Sequence, residues 1–149
     1  MAGKVSKASL VNAGLAAMER IGKPLSKLPN RGNAKLYKLS NGETVRVRTC
    51  NRHVLLVNAK HPNPNAKLDI ENTDWLLVVM PEQERTEGKN IVYLVPTAEA
   101  VVETRHAHRQ WLATRPATKG HNTTWTLAFR EQPAHDNYAI RWATYRIDK

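Results

Sequence analysis

The sequence predicts a single α/β domain, with α+β as the alternative, in which helices flank a mixed central β-sheet. Two short apolar runs, residues 75–80 and 91–95, are rich in β-branched residues, and a proline follows each of them. Runs of this length and composition are typical of strands buried on both faces of a sheet. A helical pattern follows the second run, and 149 residues is the usual size of one domain. We therefore predict one domain over residues 1–149.

Three helices are predicted from capping residues and apolar spacing. Ser9 is a candidate N-cap, and apolar residues at helical spacing lead from it to Gly22, which Pro24 follows. Thr97 caps a second helix that runs to about residue 112. A third helix is predicted to begin at Asp136, where aromatic residues recur at helical spacing.

Alternating patterns predict a hairpin and further strands. The Asn-Gly pair at residues 41–42 is a strong signal for a turn between strands at residues 35–39 and 44–49. In the second strand two valines would be buried, and Arg46 and Arg48 would form an exposed row on the opposite face. The remaining predicted strands lie at residues 53–58 and 125–129.

The charge of the chain favours a polyanionic partner. Lys and Arg number 23 and Asp and Glu number 13, which gives a formal charge of +10. Residues 1–54 and 105–149 carry net charges of +9 and +5, and residues 55–104 carry −4. The two basic segments can converge on one face, although a generally basic, solvated surface has the same composition. We predict nucleic acid as the partner, with DNA preferred over RNA.

Six basic side chains are the predicted contacts to backbone phosphates. They are Arg46, Arg48, Arg52, Lys60, Arg105 and Arg109. Such contacts position a protein on nucleic acid without specifying a sequence. They also release counterions, so affinity falls as salt rises. Replacing Arg46 and Arg48 by alanine is expected to weaken that salt dependence by roughly one to two phosphate contacts.

Neither a metal site nor a cofactor is predicted. Cys50 is the single cysteine, and His106 and His108 are two residues apart, a spacing that points two ligands to different sides of a helix. The sequence contains no glycine-rich phosphate loop and no Gly-x-Ser-x-Gly motif. A ribonuclease that combines one of these histidines with Arg109 stays open.

A cytoplasmic protein that does not span a membrane is predicted from the cysteine count and the apolar runs. One cysteine cannot form an internal disulfide, and the first residues carry no apolar leader. The longest apolar run, residues 75–80, is far shorter than the roughly 20 residues of a membrane helix.

Three segments follow one another in the first two thirds of the chain. They are VRVRT at residues 45–49, DWLLVV at 74–79 and IVYLVP at 91–96, and the last leads into a helix. This order of elements, over roughly residues 5–112, resembles the PD-(D/E)XK restriction-endonuclease-like superfamily. The resemblance implies a nuclease fold in which an acid on one strand and a Glu-x-Lys pair on the next hold a divalent metal ion.

The Glu-x-Lys strand that the resemblance implies lacks its acid here. If it lies at residues 45–49, Arg46 and Arg48 occupy the acid and lysine positions; if it lies at 57–60, Asn58 and Lys60 do. Two arginines would repel Mg²⁺ and attract phosphate. The resemblance therefore implies a nuclease-like fold retained for DNA binding.

Two alternatives to a DNA-binding protein stay open. The first is an endonuclease that cleaves DNA or RNA in Mg²⁺ or Mn²⁺, uses Glu43, Asp74 and Lys60, and loses cleavage in Asp74→Ala. The second is a basic adaptor or inhibitor that binds an acidic protein partner. A homodimer is compatible with either alternative.

Overall fold

The computed structural model describes residues 6–29, 35–60, 66–114, 124–129 and 142–148. These residues form a mixed α+β fold, which confirms the predicted mixed sheet flanked by helices. The elements are α1 (Lys7–Arg20), β1 (Ser26–Lys27), β2 (Lys35–Lys38), β3 (Thr44–Thr49), β4 (Val54–Asn58), β5 (Trp75–Pro81), β6 (Asn90–Pro96), α2 (Thr97–Thr114), β7 (Thr124–Ala128) and a 3₁₀ turn (Ala143–Tyr145).

Five of the strands form one mixed sheet in the order β1-β2-β3-β5-β6. β3 and β5 run parallel, whereas every other neighbouring pair is antiparallel. β4 does not join this sheet, because it pairs with β7 in a separate antiparallel ribbon. The chain leaves the sheet after β3, forms one strand of the ribbon and returns at β5.

The central sheet is buried on both faces. α1 covers one face, where Leu77 and Val79 of β5 lie in its core. The ribbon and α2 cover the other face, where Leu76 and Val78 pack in a cluster with Trp125 of β7. Successive residues of β5 therefore enter different cores, which confirms the strand buried on both faces that the continuous apolar run predicted.

The N-cap of α1 differs from the predicted one. Ser6 is the cap: its Oγ accepts a hydrogen bond from the backbone N–H of Ser9 at 3.1 Å, and the Ser9 hydroxyl donates to the Ser6 carbonyl at 2.9 Å. Serine is a preferred N-cap residue, so residue type alone could not decide between Ser6 and Ser9. The earlier start brings Leu10 onto the buried face of the helix, in line with Gly14 and Met18.

Gly14 allows α1 to approach β5 closely. A Cβ atom at this position would lie 2.6 Å from Cγ2 of Val79 and 3.2 Å from Cδ2 of Leu77. Val79 is fully buried and its branched side chain is stiff, so it cannot move away at low cost. We expect Gly14→Ala to lower the free energy of unfolding by about 1–2 kcal/mol, because overpacking exceeds the gain in helix propensity. Urea denaturation measures the free energy of unfolding, with Asn12→Ala at an exposed position of the same helix as the control. A stabilised Gly14→Ala protein would contradict the close approach.

The two ends of the sheet differ. Beyond β6, the backbone N–H of Ile147 donates to the Val92 carbonyl at 2.9 Å, and the N–H of Val92 donates to Asp148 at 3.0 Å. The segment 146–148 therefore covers the β6 edge. β1 forms the other end, and no strand in the described ranges lies beyond it. The β1 edge is the one left unpaired within these ranges.

The helices bear on three of the sequence predictions. α2 begins where it was predicted, but Thr97 is its first helical residue and does not cap it, because the Thr97 hydroxyl has no hydrogen-bond partner. Among the residues that the structure describes, no helix is long and apolar enough to cross a membrane. The helix predicted from Asp136 begins in residues 130–141, outside the described ranges.

Candidate nucleic-acid interface

The arginines of β3 do not form the exposed row that was predicted. Arg46 and Arg48 do lie opposite the buried valines, but their side chains are only 13% and 21% exposed. Arg48 Nη2 donates to the Leu56 carbonyl of β4 at 2.8 Å. The alternating pattern predicted the correct face of β3. The pattern could not reveal that this face is covered. The covering strand is β4, which leaves the sheet and contacts Arg48 from outside it.

Both guanidinium groups converge on Asp69, in the connection from β4 to β5. Asp69 Oδ2 lies 3.5 Å from Nη1 of Arg48 and 3.7 Å from Nη2 of Arg46, and Arg46 also donates to the Asp69 carbonyl. Asp69 Oδ1 accepts from the backbone N–H of Asn58 at 3.3 Å. Burial lowers the pKa of Arg48, and the Asp69 carboxylate opposes that shift. The two arginines are internal partners of one carboxylate, and their contact with phosphate stays a prediction.

Arg105 anchors the same connection from α2. Its Nη2 donates to Glu71 Oε2 at 3.1 Å and to the Ala66 carbonyl at 3.2 Å. Half of the predicted phosphate contacts, namely Arg46, Arg48 and Arg105, are therefore bonded to the segment 66–71. This segment carries the carboxylates that neutralise them.

The other three predicted contacts are exposed but lie on different elements. Arg52 precedes β4 and Lys60 follows it. The strand between them, Val54–Asn58, by itself spans about 13 Å. Arg109 lies on α2. Three of the six predicted side chains are thus exposed and three are bonded to the segment 66–71, and the contact of all six with phosphate stays a prediction.

A different set of basic residues lies on the elements at the unpaired end of the sheet, namely β1, β2 and the end of α1 that leads into them. We call it the edge patch: Arg20, Lys23, Lys27, Lys35 and Lys38. Four of these residues are exposed and Lys35 is half-buried. None of them forms an ion pair with another residue of the described ranges. The sequence did carry a signal for this patch, because residues 20–42 contain no Asp or Glu.

Strand pairing and the end of α1 position the edge patch. Arg20 lies in the last turn of α1, and Lys23 lies between the helix and β1. β1 pairs with β2 so that Ser26 lies opposite Lys38 and Lys27 lies opposite Tyr37. Tyr37 is buried in the core beneath α1, which fixes β2 and leaves the lysines at the rim.

The residues of the endonuclease alternative lie on separate elements. Asp74 Oδ2 accepts hydrogen bonds from the backbone N–H and the hydroxyl of Thr44 at 2.9 and 3.1 Å, so this carboxylate ties the starts of β3 and β5. Glu43 lies in the hairpin turn, and Lys60 follows the strand of the ribbon. In the ranges described, no group of three or more His, Cys, Asp and Glu side chains is placed to hold a metal ion. The endonuclease stays a prediction.

His108 has a packing role. It is buried, and its ring stacks on Trp125 of β7 with ring centroids 3.8 Å apart and an interplanar angle of 12°. His106, two residues earlier on α2, is half-buried. A ribonuclease site with Arg109 would therefore have to use His106, since His108 belongs to the core.

Cys50 is unsuited to act as a nucleophile. Burial raises the pKa of its thiol to about 12, and although Arg48 lowers the pKa, Glu84 raises it further. Because the thiolate is the reactive form, we expect iodoacetamide near pH 8 to alkylate Cys50 about a thousandfold more slowly in the folded protein than in concentrated urea. Mass spectrometry over time measures both rates. Equal rates would show that the thiol ionises freely in the fold.

Comparisons of the chain with models of known protein families, with curated proteins and with solved structures find no match. The resemblance to the PD-(D/E)XK superfamily therefore rests on the three segments quoted above and stays a prediction. Fold and site together define an α+β protein whose mixed sheet ends in a basic edge.

Proposed function

We propose that this protein binds nucleic acid, preferentially DNA, through the edge patch. The main support is the unneutralised charge of Arg20, Lys23, Lys27, Lys35 and Lys38 at one edge of the sheet. Positive side chains that have no internal carboxylate partner attract a polyanion and release its counterions on contact. A cytoplasmic location, predicted from the single cysteine, is part of this proposal.

The lysines of β1 and β2 lie on both faces of the sheet edge. Lys27 lies opposite Tyr37, and Lys35 shares the face of Tyr37, which packs under α1, whereas Lys38 lies on the other face. Contacts from such lysines to phosphates hold the backbone without reading bases, so we expect binding that does not depend on duplex sequence.

A gel-shift titration tests the proposal. The purified protein is mixed with labelled duplex and single-stranded DNA and RNA of one sequence, at two salt concentrations, with and without Mg²⁺. We expect a shift without cleavage, and a slope of log K against log salt of about −3 to −4. Cleavage in Mg²⁺ would favour the endonuclease. The absence of a shift at low salt would overturn the proposal and favour an acidic protein partner.

A further inference from the structure

A cavity opens between the segment that leads into β5 and the first turns of α2. Its volume is about 450 Å³, which is within the range of small-ligand sites. Ala98, Val101 and Val102 form an apolar wall, and Val102 is 62% exposed. The polar lining consists of Glu71, Thr73, Asp74, Thr97 and Arg105.

Three polar groups of this lining have unused hydrogen-bonding capacity, and one of them is Arg105 Nε, a buried donor without a partner. Thr97 is 4% exposed, and its hydroxyl has no hydrogen-bond partner. A buried hydroxyl without a partner is costly, so it indicates a group that is supplied from outside the chain. Asp74 uses Oδ2 to accept from Thr44, while its Oδ1 accepts no bond from any described residue.

The uncompensated charge of the lining is negative. Arg105 is neutralised by Glu71 at 3.1 Å, which leaves the Asp74 carboxylate without an ionic partner in the described ranges. Glu99 in the first turn of α2 balances the positive end of the helix dipole. The cavity therefore favours a ligand that presents N–H donors rather than an anion.

One row of residues connects the cavity to the edge patch. Lys38 lies opposite Ser26 on one side and opposite Thr44 on the other, and Thr44 is bonded to Asp74. Strands lie about 4.8 Å apart, so the Cα atoms of Lys38 and Asp74, two strands apart, are separated by about 10 Å. The Lys38 ammonium can thus hold the phosphate of a nucleotide whose base enters the cavity.

We propose that the cavity binds an unpaired nucleobase with an exocyclic amino group, in a single strand held by the edge patch. This inference rests on the proposed function. Asp74 Oδ1 accepts from the amino group, as carboxylates do from N4 of cytosine, and the Thr97 hydroxyl bonds a second ring substituent. Val101 and Val102 pack against the face of the base. Thymine presents O4 at that position, and an oxygen facing the carboxylate repels it.

Oligomers of dC and dT of equal length test the inference by fluorescence anisotropy at one salt concentration. We expect the dC oligomer to bind about tenfold more tightly. Ala98→Met fills the cavity from an exposed helix position, so it should abolish this preference and leave dT affinity and its salt dependence unchanged. Ala8→Met, at an exposed position of α1, is the matched control and should retain the preference.

Thr97→Val separates a binding role from a structural one. It removes the unpaired hydroxyl at nearly constant shape, so we expect a melting temperature that is equal or higher, together with a reduced preference for dC. Equal affinity for dC and dT in the native protein would overturn the cavity inference and leave the proposed function intact. If neither oligomer binds at low salt, both proposals fail.

Discussion

The triple variant Lys23→Ala, Lys27→Ala, Lys38→Ala is expected to bind DNA about a hundredfold more weakly than the native protein at about 0.1 M salt. Each lysine that contacts phosphate contributes about one unit to the slope of log K against log salt, so the slope should fall by roughly 2–3. All three residues are exposed, and substitutions at such positions change stability little. A salt series followed by anisotropy on a labelled duplex measures the slope.

A control with the same change in net charge replaces Lys7, Lys67 and Lys89, which are exposed elsewhere. Equal losses in the two triple variants would mean that overall charge, and not the edge patch, governs binding. Lysines on an edge strand also prevent pairing with other chains. A patch variant that self-associates but keeps its DNA affinity would assign the lysines that protective role and contradict the proposed function.

Asp69→Ala is expected to lower the free energy of unfolding by about 2–3 kcal/mol. The substitution leaves the two largely buried guanidinium groups of Arg46 and Arg48 without their carboxylate. Breaking a fully buried pair costs about 3–5 kcal/mol, and the 25% exposure of Asp69 reduces that cost. The free energy of unfolding of Asp69→Asn should lie between those of the native protein and Asp69→Ala, because the asparagine can still accept a hydrogen bond from the backbone N–H of Asn58. Urea denaturation gives the three values.

The exposed carboxylate Glu87 supplies the control, since Glu87→Ala should change stability by less than about 0.5 kcal/mol. The same Asp69 variant also examines the phosphate contacts first predicted for β3. If Asp69→Ala keeps its stability and binds DNA more tightly, Arg46 and Arg48 are available to phosphate. Lower stability with unchanged DNA affinity is the result expected from their burial.

Local patterns were sufficient to predict most of the elements. Residues that are adjacent in sequence specify these elements. Examples are the apolar runs that form β5 and β6 and the Asn-Gly turn between β2 and β3. The separation of β4 from the sheet could not be predicted in the same way. Its partner β7 lies about 70 residues further along the chain, at Val54↔Ala128 and Asn58↔Thr124, and a local pattern does not specify such a pairing.

In the candidate site, too, some features follow from the sequence alone and others depend on the packing of distant segments. The sequence by itself determined the basic surplus, its concentration in residues 1–54 and the alternation that puts Arg46 and Arg48 on one face of β3. Only the tertiary structure decided which basic groups remain exposed. Asp69 and Glu71, more than 20 residues away in sequence, neutralise Arg46, Arg48 and Arg105, whereas no described carboxylate reaches the edge patch. The physical reason is that ion pairing depends on separation in space, which the packing of distant segments sets.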